Sequence, residues 1–283
     1  MLGLGLGLNK WRRVGGFVGL LDLFPNAAAA YSLRKLRAAY SGSAVRVRKE
    51  VSTVSSETDI GFLADGSLDT TSLLAFASDA DGGDVFVVTW YDQSANNRDR
   101  VQAVAANQPM IVDSGVVTLD PDTLKPAIKF DFTETLDSSS FVLSQPTTKF
   151  LIGHSTNSSR NQIFSGSLDS NARNQITYLT SNGGQLSLFA GITFNPSNAT
   201  TEGLLNNTWL AYALFNGTSS ELGVNGNTAS VGDAGVFNND GLSTGTTASI
   251  VGYLSEEVFY GDDQSANRTG IETNINTFYS IYP

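Results

Sequence analysis

Trp90-Tyr91-Asp92-Gln93-Ser94-Ala95-Asn96-Asn97-Arg98-Asp99 is the stretch that decides how this chain is read. It follows a β-branched and aromatic run, Asp84-Val85-Phe86-Val87-Val88-Thr89, which has the composition of a strand. Its Asp, Ser and Asn side chains can turn back onto their own backbone, and Arg98 can pair with Asp92 or Asp99. Two readings stay open for it. It is either a structural corner, since it holds no nucleophile–base pair, or a surface that offers Trp90, Tyr91, Asp92, Asn97 and Arg98 to a sugar.

Outward from that loop, short strand-like runs follow one another between Gly, Asn, Asp and Ser. They are Ala44–Arg48, Asp84–Trp90, Ala127–Phe132, Phe150–His154, Gln175–Leu179, Gln185–Ala190, Thr208–Phe215, Glu221–Val224, Ser249–Tyr253 and Glu256–Tyr260. Asn225-Gly226 is the strongest hairpin signal. So many strands at this spacing predict a mainly β, antiparallel two-sheet sandwich over residues 44–283. Helices are expected at Ala27–Tyr40 (alanine-rich, with Tyr31, Leu33, Leu36 and Tyr40 on one side), at Thr70–Ala77 and at Ala266–Tyr279.

The chain has 283 residues, 41% hydrophobic and 16% charged, and no cysteine, which excludes disulfides and thiolate metal sites. Its charge is uneven. Residues 1–50 carry nine basic and two acidic side chains, so the totals of 17 and 27 leave 8 basic and 25 acidic for the rest: +7 against −17. An acidic body without a basic aromatic stripe argues against nucleic-acid binding.

The first 26 residues read as an arm. Leu2, Leu4, Leu6 and Leu8 alternate with glycine, and Trp11, Arg12 and Arg13 follow. Positive charge after the apolar run is the wrong order for a secretory signal, and Val14–Phe24 is too short for a membrane span. Leucines on one face of such a strand cannot bury themselves. The arm is therefore expected to dock on a partner or on further copies of the chain, a trimeric fibre among them, or else to fold back.

Taken together, Tyr31-Ser32-Leu33-Arg34-Lys35-Leu36-Arg37, Asp59-Ile60-Gly61-Phe62, the Trp90 loop, Asn107-Gln108-Pro109, Glu256-Glu257-Val258-Phe259-Tyr260 and Ile271-Glu272-Thr273-Asn274 form an ordered set. Over residues 30–283 it resembles the concanavalin-like sandwich (jelly roll) domain of the fungal and bacterial α-L-arabinofuranosidase B catalytic family, a domain with relatives in the structural proteins of tailed bacteriophages. The resemblance implies the sandwich fold. It also implies, in the hydrolases, a glutamate nucleophile shortly before a Leu-Phe-Ser-Gly-like tetrapeptide and an aspartate acid after a Gly-Gly pair. At the matching places this chain reads Gln185-Leu186-Ser187-Leu188-Phe189-Ala190-Gly191 and Tyr253-Leu254-Ser255-Glu256-Glu257, without either carboxylate in position.

The expectation drawn from this is a bacteriophage virion protein rather than an enzyme. Such a protein would be held to other virion components by its arm, with a sandwich that meets host glycans. The alternative is a glycoside hydrolase of arabinofuranosidase type whose carboxylates come from Glu134, Glu202, Glu221, Glu256 and Glu257. No cofactor is expected, except that Asp79, Asp81 and Asp84 have the look of a calcium loop as well as of a plain acidic turn. His154, the single histidine, lies in an apparent strand and reads as structural.

Overall fold

In the computed structural model, which describes residues 16–168, 173–196, 201–245 and 250–283, the chain folds as an antiparallel β-sandwich with a helical cover on one side. Three long strands form its middle: Thr147–Ser155 lies between Thr208–Phe215 and Val251–Tyr260, antiparallel to both. All three are buried almost from end to end, because both faces are covered. Alternate residues go to two different cores. Leu151, Trp209, Ala211, Ala213, Leu254 and Phe259 face inward to the main core, which the four-stranded sheet closes with Phe164, Ile176, Tyr178, Leu186 and Leu188. Phe150, Ile152, Leu210, Tyr212, Val258 and Tyr260 face outward to a second core, closed by Ile271, Ile275 and Tyr279 of the helix Arg268–Tyr279 and by Leu20 and Leu21.

This is the mainly β sandwich that the strand spacing predicts, and the helices at Thr70–Ala77 and Arg268–Tyr279 fall where expected. The first of them is capped by Asp69, which accepts from Ser72 N. At the Asn225-Gly226 hairpin both residues have positive φ, 53° and 71°.

Residues 27–40 are not a helix. Ala27–Ser32 is a strand paired with the end of Val251–Tyr260, and turns follow it. Alanine favours a helix locally, but all six residues of this strand are buried, and small side chains suit a strand covered on both faces. The expected anchoring residues Leu2, Leu4, Leu6, Leu8, Trp11, Arg12 and Arg13 lie outside the described residues. The helix Leu20–Leu23, which lies within the expected arm, packs on the body. Among the described residues no helix is long and apolar enough to cross a membrane.

Candidate functional site

The Trp90 loop is a brace. Trp90 is fully buried with its ring 5.8 Å from that of Tyr31, and Tyr91 donates to Asp59 at 2.8 Å. Asp92, 4% exposed, accepts from Ala30 N, Ser94 N, Ser94 Oγ and Arg98 N at 2.8–3.0 Å. Gln93 joins the same seam, donating to the carbonyls of Ser32 and Arg34 and accepting from Leu36 N. Trp90 and Asp92 therefore cannot meet a sugar; they stitch strand Ala27–Ser32 to the sandwich. Asn97 is exposed at φ 54°, and Arg98 lies half-buried against the Phe141 ring.

The acidic turn is not a calcium loop either. Asp79 pairs with Lys49, Asp81 accepts from Ser52 N and Asp84 from Ser114 N, so the three carboxylates serve separate partners. Among the described residues no group of three acidic, histidine or cysteine side chains could hold a metal.

Of the candidate glutamates, Glu256 and Glu257 are sealed inside. Alternation along their strand sends them to opposite faces. Glu256 takes a two-pronged pair from Arg34 at 2.7 and 2.9 Å, and Glu257 takes Arg100 at 2.5 Å. Ser165 also donates to Glu257 and accepts from Lys149 Nζ at 2.9 Å. Burial pulls the Lys149 amine down to about 7, against the attraction of Glu257 and helped by Arg100. Glu221 is engaged by Tyr212, and Glu134 accepts the N–H groups of Asp131 and Thr133.

Glu202 is different. It lies half-buried beside a cleft of 350 Å³, accepts from Asn182 at 3.1 Å and shares the cleft with Asp122. A turn places Asp122: the Asp120 carboxylate accepts from Asp122 N and Thr123 N, and Leu124 N closes onto Asp120 O. Thr208, the first residue of its strand, donates its N–H to Asp122 at 2.6 Å and its hydroxyl to Asp120 at 2.7 Å. Since that hydroxyl proton goes to Asp120, His154 Nδ1, 3.0 Å away, is the donor to Thr208 Oγ1, which fixes the tautomer. The same Nδ1 is 3.5 Å from Asp122. His154 is structural as expected, but it props a carboxylate whose side chain is 48% exposed. Amides of Asn207, Asn225 and Asn227 complete the cleft.

Solved structures share this architecture. An arabinofuranosidase complexed with arabinofuranosyl-α-1,2-xylobiose superposes with a TM-score of 0.67 at 13% identity, covering 89% of this chain. The chain shares its sandwich fold with that enzyme. A GH54 α-L-arabinofuranosidase mutant soaked with 4-nitrophenyl α-L-arabinofuranoside matches with a TM-score of 0.67 at 12% identity. A GH54 α-L-arabinofuranosidase soaked with a cyclic sulfate inhibitor matches at 0.66, and each of these two covers 91% of this chain. The chain spans 63% of the length of these neighbours. No protein-family model matches the sequence, and no curated protein is similar to it at a significant level.

This likeness corrects the expectation that the chain is no enzyme. The three solved structures named above are arabinofuranosidases, and none of the three brings a virion context. That expectation rested on two stretches, residues 185–191 without the glutamate and residues 253–257 without the aspartate's loop. In the structure the backbone of Gln185, which begins the first stretch, is bridged in antiparallel fashion to that of Glu202, a carboxylate on another segment.

Proposed function

We propose that this domain is a glycoside hydrolase acting on arabinofuranosides, with Asp122 and Glu202 as its carboxyl pair. The observation that carries the reading is the cleft itself, in which two accessible carboxylates stand among amide side chains suited to sugar hydroxyls. Asp122 is held by Thr208 N–H and propped by His154, which suits the group that must approach the anomeric carbon, directly or through a water. Glu202 has the longer side chain and one amide contact, which suits delivery of a proton to the glycosidic oxygen. The C1–O bond breaks as that oxygen takes the proton. Water then supplies the oxygen that C1 gains, and its remaining proton restores the acid.

The test is release of 4-nitrophenol from 4-nitrophenyl α-L-arabinofuranoside. Asp122→Asn and Glu202→Gln should each lower kcat/KM by about 10²-fold or more. Wild-type turnover that survives both changes would remove the pair, and no turnover on any pentofuranoside would remove the activity. The virion role, with partners held by residues 1–26, a homo-oligomer and host glycans, is carried by the basic glycine–leucine segment alone and takes second place.

A further inference from the structure

A second cavity, larger than the cleft at 590 Å³, lies between the Trp90 loop and the chain entering strand Ala27–Ser32. Its chemistry is different. It holds one carboxylate, Asp262, and two guanidinium groups, Arg37 and Arg98, with Asn26, Ser94 and Asn96 around them. Asp262 accepts from Gln264 Nε2 at 2.7 Å and forms no ion pair with either arginine. Arg98 is held rigidly: its Nη1 donates to Ala28 O at 3.0 Å and its plane lies over Phe141, 3.8 Å from the ring centroid. That leaves the other N–H groups of Arg98 without a partner among the described residues. The Arg37 side chain forms no hydrogen bond or ion pair with any described residue, and its Nε is buried without a partner.

A buried guanidinium N–H without an acceptor is costly, and a planar fork of such donors matches an oxyanion. In a domain whose residues 51–283 carry a charge of −17, arginines left unpaired in one cavity are unusual company. We propose that this cavity is an anion-binding site, in which Arg37 and Arg98 take a carboxylate or phosphate group borne by a small molecule. The site is separate from the cleft of Asp122 and Glu202 and does not depend on hydrolysis there.

Calorimetric titration of the full chain tests it, with galacturonate, inorganic phosphate and neutral galactose as probes. At least one anion should bind, galactose should not, and Arg37→Gln should weaken binding by about tenfold or more while leaving the melting temperature unchanged. Preference for galacturonate points to a sugar acid, and preference for phosphate to a phosphorylated ligand. Arg37→Lys, which keeps the charge without the fork, should fall between wild type and Arg37→Gln, and Asp122→Asn should bind the anion as wild type does. Failure of both anions to bind, equal binding of galactose, or anion binding unchanged in Arg37→Gln would overturn the proposal. A large loss of stability in Arg37→Gln would also overturn it, by showing that Arg37 is already engaged.

Discussion

Lys149 makes the interior of this sandwich sensitive to pH, and the sign of the effect can be worked out. Its amine is fully buried between the sheets, donating to Ser165 Oγ at 2.9 Å and Asn174 O at 3.2 Å, with Arg100 and Glu257 close by. Burial favours the neutral form, so the folded-state pKa is about 7 where the ordinary value is 10.5. Below 7 both folded and unfolded chains hold the proton, and this group contributes no pH dependence. Between 7 and 10.5 the unfolded chain holds a proton that the folded chain has released, so stability rises with pH, by up to about 1.4 kcal/mol per unit. From about pH 7 to about pH 9 the gain is about 2 kcal/mol. The tyrosines act in the opposite sense but only above their unperturbed 10, since Tyr91 and Tyr282 are both pushed up to about 12 chiefly by burial. Urea unfolding of wild type and Lys149→Met at about pH 7 and about pH 9 isolates the effect. The wild type should gain about 2 kcal/mol over this interval and the variant should lose that gain, with m unchanged. Equal pH dependence in the two proteins would refute the argument, because it would mean that Lys149 keeps its proton inside the fold.

Asp92→Ala removes the acceptor of four donors in the Trp90 loop, and it should cost about 3–5 kcal/mol and lower the melting temperature by about 10 °C. A drop of only about a degree would show that the loop does not brace strand Ala27–Ser32. Removal of residues 1–26 should destabilise the body, because Leu20 and Leu21 go with it. If the segment is an assembly device, light scattering should find the full chain larger than the monomer and the 16–283 protein monomeric; monomers in both cases would end that reading.

What could be read in the sequence was local. Asp69 before an alanine- and leucine-bearing run marks a helix start, and Asn225-Gly226 marks a turn whatever surrounds it, because both signals depend on residues next to one another. Ala27–Ser32 was misleading for the opposite reason. Its conformation is set by Glu256–Tyr260 across the sheet, and cover on both faces erases the alternation that marks a half-buried strand. The adjacent acids Glu256 and Glu257 looked like a site for the same reason. Their partner arginines are 222 and 157 residues away, and nothing nearby in the chain shows that each acid is already paired.

The cleft was half legible. Glu202 stood among the candidate glutamates, and Asp120-Pro121-Asp122 carries a turn signal, but Thr208 joins the two acids of that turn from 86 and 88 residues away. Two carboxylates from distant segments come to line one cleft only once the strands are in register, so no spacing rule along the chain could have paired them. The same logic explains how a matching stretch can lack its glutamate without settling the chemistry. In a sheet, neighbours in space come from distant segments, and Glu202, whose backbone is bridged to that of Gln185, is a carboxylate that a reading of residues 185–191 alone does not bring in. Glu202→Gln therefore bears on more than one residue's role. Loss of turnover there would mean that the working carboxylate comes from a segment other than residues 185–191.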